Sequence, residues 1–322
     1  MSQRARTAAL AVLLVPMAAG MAGAQQRCNL RIAEPIFRKF QESRATDSTT
    51  AAMLAREYLK ACADSSVSMT RDAQSYLTAF EMNALLADRG SRRAELSDLI
   101  HVHKNFAEAY DLGAKLIERD STDLDVLINL GYGGFVALQA QNRQFDSLAV
   151  RYGGRAIQLL ENGATRTTWD PFASRDETLA WLHFALGTLQ SESNPLEAAR
   201  HLHRAASFET SLKAEPSLYY VLASAYEAAV YQPLYQEYTT KFGGKPVSEA
   251  SRQAKARIDA VMDRLIDIYA HAIAYEQPTA PERANAMQRA EAYYRARHGA
   301  QAAGLQQLID RAKTTALIPL SD

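Results

Sequence analysis

The 322-residue sequence has two cysteines, no net charge and, past residue 24, no long apolar run. Acidic and basic side chains number 36 each, and no basic run exceeds Arg92-Arg93, so the electrostatic footprint of a nucleic-acid binder is missing. The most apolar internal stretch, residues 126–140, is interrupted by Asn129 and by Gly131, Gly133 and Gly134. That excludes a membrane span and predicts a buried helix in which the glycines let a neighbour approach closely. Signatures of chemistry are equally scarce. There is no HExxH, no GxSxG, no GxGxxG and no phosphate-binding Gly-Lys-Ser/Thr loop, and neither cysteine has a second ligand at zinc spacing. His101 and His103, like His201 and His203, stand two apart, which on a helix turns them about 200° away from each other, so neither pair clamps one ion. Asp170 and Asp176 flank Trp169 at a spacing open to carboxylate chemistry on sugars, but loop solvation and helix capping explain them without it. No catalytic residue, metal or cofactor is expected.

What is present begins with an export signal. Arg4 and Arg6 precede an apolar run over residues 8–19, and Ala22-Gly23-Ala24 precede Gln25, the pattern of a secretory signal peptide cleaved between Ala24 and Gln25. An uncleaved anchor is the alternative, disfavoured by the shortness of the run and by Pro16. Export places Cys28 and Cys62 in an oxidising compartment, where they permit a single disulfide; two free, buried thiols are the other reading.

The rest of the chain has helical periodicity. Over residues 174–226, Ser174 and Glu177 form a capping box, Leu179, Leu182, Ala185, Leu186 and Leu189 recur at spacings of three and four, and Asn194-Pro195 resets the chain. A second helix follows with Ala198, Leu202 and Ala205 inward. Pro216 then opens a third carrying Tyr219, Leu222, Ala223 and Tyr226. This helix, turn, helix and fresh start resembles the tetratricopeptide repeat. Trp181, Phe184, Ala185 and Thr188 stand at that family's first-helix positions, Ala198, Leu202 and Ala205 at its second-helix positions, and Tyr219, Leu222, Ala223 and Tyr226 open the next repeat. Leu130-Gly131 matches its Leu-Gly pair, although Gly134 stands where the family prefers an aromatic. The distance from Trp181 to Tyr219 exceeds the usual period, so the connections are longer than standard.

The resemblance implies an all-α, right-handed solenoid of antiparallel helical hairpins with a partner in its concave face. Four divisions follow: the signal peptide over 1–24, a helical-repeat domain over 25–242, helices continuing or capping it over 243–313, and a flexible tail over 314–322. Gly90 is expected to close a helix that starts near Thr70, with a weakly patterned stretch over 94–103. Thr122 with Asp125, and Thr279 with Glu282, are expected to cap later helices. Pro233 is expected to kink the helix that follows Tyr226.

Tyrosine is unevenly placed, with ten of the fifteen at or beyond Tyr219. Tyr231, Tyr235 and Tyr238 share one helical face, with Tyr219 and Tyr226 on preceding turns. Together with Trp169 they are candidates for a groove that grips a peptide or glycan, while repeat packing uses the same residues at the same spacing. The functional expectation is an exported scaffold, periplasmic or secreted, that binds a protein or peptide partner of the cell envelope and spans no membrane after cleavage. A small-molecule or lipid carrier, with an enclosed apolar cavity, is the alternative. An enzyme, with ionisable groups converging in one cleft, is the third class.

Overall fold

The computed structural model describes residues 28–63, 67–299 and 303–320, and every regular element among them is helical. The expected signal peptide and its expected cleavage point at Ala24 and Gln25 lie outside the described residues. The chain divides into two compact units, Met1–Arg89 and Gly90–Asp322.

In the first unit α1 (Leu30–Ser43) packs on α2 (Ser48–Ala61), and the opening of α3 (Ser68–His101) covers both. Asp47 caps α2 by accepting from the backbone of Thr49 and Thr50. Phe37, Phe40 and Tyr58 fill the core, with the Phe37 and Tyr58 rings 5.2 Å apart. Cys28 and Cys62 are joined, which ties the chain two residues before α1 to the end of α2. Buried Thr70 accepts the resulting polar load: its hydroxyl lies 3.3 Å from the Tyr58 hydroxyl and donates to the Cys62 carbonyl.

Gly90 does not end a helix. The segment Ser68–His101 is continuous through it. A single helical glycine costs only about 1 kcal/mol relative to alanine, and Leu96, Leu99 and Ile100 beyond it are buried, which outweighs that loss. The stretch over 94–103 is thus mostly helix.

The second unit continues with α4 (Phe106–Arg119), α5 (Leu124–Gln139), α6 (Asp146–Glu161), α7 (Arg175–Gln190) and α8 (Pro195–Ala206). Helices adjacent in sequence pack on each other, and α7 also packs on α5. The α5–α6 contact is backbone against backbone: a Cβ on Gly131 would collide with Gly153. Ser174 caps α7 by accepting from the Glu177 N–H at 3.1 Å. The glutamate half of that box goes elsewhere, since Glu177 accepts from the Ala173 N–H at 3.1 Å and from the Ser211 hydroxyl at 2.5 Å. Pro195 opens α8 as expected. The cap of α5 is Asp123, one residue from the expected Thr122, because its carboxylate reaches the Val126 N–H.

Beyond a short 3-10 turn, α9 (Pro216–Tyr226) runs into a π-helical segment (Glu227–Tyr231) and then α10 (Gln232–Phe242) without a break. Gln232 donates to the Glu227 carbonyl five residues back, immediately before Pro233, which cannot donate at all. After Gly244, at φ +70°, α11 (Glu249–Tyr275) returns and packs on α9 and α10. Ser248 and Ser251 form its capping box. The next helix, α12 (Pro281–His298), begins at its own proline rather than at Thr279, because proline fixes the first-turn φ and needs no partner there. Gly299, at φ +91°, ends it, and α13 (Ala303–Ala312) packs on α11. The tail, expected to be flexible, lies along α11: the Ile318 N–H donates to Asp267 at 2.8 Å and Arg264 donates to the Pro319 carbonyl at 2.7 Å.

Candidate binding cleft

Between the α9–α10 helix and the α11–α12 pair lies a cleft of about 460 Å³. Tyr220, Ser224, Glu227, Ala228 and Gln232 line it from one side, Tyr269 from α11, and Glu282, Asn285, Ala286 and Arg289 from α12. Glu227 is the only charged residue among Pro216, Leu234 and everything between them, and it is 5% exposed. It is the first residue of the π segment.

A buried carboxylate needs donors, and two helices supply them. The Tyr269 hydroxyl donates to Oε1 at 2.7 Å and the Arg289 guanidinium to Oε2 at 2.6 Å. Burial, followed by the charge of Glu227, holds the Tyr269 and Tyr293 hydroxyls above the ordinary tyrosine range, so both stay protonated donors at neutral pH. Tyr269 and Glu227 hold the Arg289 guanidinium above its ordinary value. On the same wall the Tyr220 hydroxyl donates to Glu276 at 3.1 Å. Burial, then Glu276, raises that phenol as well.

The six aromatic candidates do not form one groove. Tyr219 and Tyr226 are fully buried; Tyr219 donates to the Lys213 carbonyl at 2.8 Å and stacks on Tyr275 at 5.7 Å. They belong to the core because α9 is covered by both α8 and α11, which leaves no free face at those positions. Trp169 packs against the cluster around α5 and α6, 6.0 Å from the Arg166 guanidinium, away from the tyrosines. Tyr238 lies against Phe242 at 5.6 Å. Tyr231 and Tyr235 are connected to the cleft. Rings follow one another from Tyr235 to Tyr231 at 5.7 Å, to Tyr293 at 5.1 Å and to Tyr269 at 6.3 Å, whose hydroxyl ends on Glu227.

Sequence reading passed over Glu227 itself. Its signal was the solitary charge in an apolar run, which demands buried partners. His201 and His203, two apart on one helix, face different partners. His201 meets His183, with the Nδ1 atoms 2.8 Å apart, while His203 faces the Ile318 carbonyl at 3.2 Å. Asp176 pairs with its neighbour Arg175 at 3.4 Å. Among the described residues no group of three or more histidine, cysteine or acidic side chains is placed to hold a metal, and no helix is long and apolar enough to cross a membrane. No protein-family model matches the chain, and it matches no curated protein and no solved structure.

Proposed function

We propose that the chain is an exported scaffold of tetratricopeptide-like helical hairpins, stacked as a solenoid, which holds a protein or peptide partner through the cleft at Glu227. The observation that carries this reading is the buried carboxylate on a π segment in a solvent-open wall. Both features weaken a fold: a π segment interrupts the regular hydrogen-bond ladder, and a buried ion pair is offset against the desolvation of two charges. Their coincidence at one cleft is what a recognition site explains and a packing role does not.

A carrier of lipids calls for an enclosed apolar cavity, whereas this cleft is rimmed by the exposed side chains of Glu282, Asn285 and Arg289. Acid–base catalysis calls for groups that titrate near the working pH. Tyr269 and Tyr293 are displaced the other way, which favours binding over chemistry. The Cys28–Cys62 bridge supports export, because such bridges persist in oxidising compartments.

The test is site-specific photocrosslinking in the cells that make the protein. A crosslinker at Gln232, on the cleft rim, is expected to capture one partner that a crosslinker at Lys255, on the exposed side of α11, does not. Glu227→Gln is expected to abolish that capture while the protein stays folded. Equal labelling from both positions would remove the cleft from the function.

A further inference from the structure

We propose that the cleft receives a cationic group, an alkylammonium or a guanidinium, with the Glu227 carboxylate as its counter-charge. This rests on the reading that the cleft is the recognition site, and it adds what enters. Three observations point the same way. The lining has two carboxylates, Glu227 and Glu282, against one guanidinium, Arg289; Arg289 and Glu227 offset each other at 2.6 Å, which leaves the charge of Glu282 on the rim in excess. An entering anion therefore meets excess negative charge, and an entering cation is attracted.

Glu227 can only accept hydrogen bonds, and a carboxylate has about four lone-pair sites. Tyr269 takes one on Oε1 and Arg289 one on Oε2, and the Tyr293 hydroxyl also bonds this carboxylate, so about one site remains for a further donor. Arg289 itself shows that a guanidinium fits this carboxylate. Its side chain is 59% exposed, so the pair is partly screened and an incoming cation can share or replace it.

The third observation is aromatic. The part-exposed Tyr220 lines the same cleft, so a cation there meets an aromatic ring as well as the carboxylates. A volume of about 460 Å³ exceeds what a bare ammonium fills and admits an extended alkyl arm behind it. A free amine and a lysine or arginine side chain of a partner share this chemistry.

The experiment is calorimetric titration of the full exported chain with acetyl-arginine methylamide, acetyl-citrulline methylamide and acetyl-glutamate methylamide, which carry a cationic, a neutral and an anionic side chain. The arginine compound is expected to bind, with the citrulline compound roughly ten- to a hundredfold weaker, the value of a charge-assisted hydrogen bond. Glu227→Gln is expected to weaken the arginine compound by the same factor. Should that variant unfold, Glu282→Gln on the exposed rim is expected to weaken it roughly two- to fivefold.

Equal binding of citrulline and arginine compounds, or binding of the glutamate compound alone, overturns the cation preference; if Glu227→Gln abolishes that binding, the cleft remains the recognition site. Arginine binding that neither variant alters overturns the placement. No binding by any of the three at millimolar concentration overturns the cation reading, while crosslinking from Gln232 against Lys255 decides separately whether the cleft is the recognition site. A capped peptide with arginine at its centre separates the two sources: tighter binding than the single residue assigns the cation to a peptide chain, and equal binding assigns it to a free amine.

Discussion

The Nδ1 atoms of His183 on α7 and His201 on α8 lie 2.8 Å apart, so one ring donates the hydrogen and the other accepts it, and the pair cannot hold two positive charges. Burial, reinforced by the neighbouring His201 and Arg204, holds His183 down to about 3 from its ordinary 6.5. Burial lowers His201 too. The sign follows directly. Below pH 6.5 the unfolded chain takes up a proton that folded His183 refuses, so its contribution to stability is whole above 6.5 and is lost progressively as pH falls towards about 3.

The slope expected from this histidine is about 1.4 kcal/mol per pH unit. Urea unfolding at pH 7 and pH 5 is expected to show a stability loss about 2 kcal/mol larger for the native chain than for His183→Gln. Parallel curves for the two proteins would place the acid sensitivity elsewhere.

Tyr219 and Tyr235 separate the two roles that the tyrosine-rich half left open. Tyr219→Ala removes a fully buried ring and its hydrogen bond to Lys213, and is expected to destabilise the protein by about 3–5 kcal/mol. Tyr235 is 50% exposed, so Tyr235→Ala is expected to stay within about 0.5 kcal/mol. Thermal unfolding of the two variants side by side distinguishes core from surface.

Why the helices were legible and the cleft was not comes down to the range of the interactions. Local rules located Ser174 and Pro195, because a cap and a first-turn proline act within one turn. They failed at Gly90, where burial of Leu96, Leu99 and Ile100 overrides a weak local preference. Glu227 depends on Tyr269 and Arg289, 42 and 62 residues away, and no spacing rule links them. The tyrosine stripe was read at α-helical period across residues 227–231, where the π segment shifts the phase, so Tyr231 and Tyr235 part company with Tyr219 and Tyr226.

Glycine at the α5–α6 crossing serves one purpose, and a matched pair of substitutions tests it. A Cβ on Gly131 would strike the Gly153 backbone, which cannot rotate away, so Gly131→Ala is expected to cost about 1–3 kcal/mol as the helices are forced apart. Gly154, next to the contact, has open space where its Cβ would go. Gly154→Ala is expected to stabilise by up to about 1 kcal/mol through helix propensity alone. Both are read from chemical denaturation midpoints, and equal effects would contradict close backbone approach as the reason for Gly131.

The Cys28–Cys62 bridge closes a loop with a sequence separation of 34 and encloses α1 and α2. Removing it frees the unfolded chain and leaves the folded contacts of Phe37, Phe40 and Tyr58 in place, so the loss is one of stability rather than of fold. The loop-entropy relation puts that loss at about 3–4 kcal/mol for the double variant Cys28→Ser, Cys62→Ser. Since the bridge lies wholly within the unit Met1–Arg89, the loss is expected to be local. Hydrogen exchange resolved by mass spectrometry is expected to speed up in α1 and α2 while α5 to α9 keep their protection. Faster exchange in α5 to α9 as well would mean that the two units unfold as one.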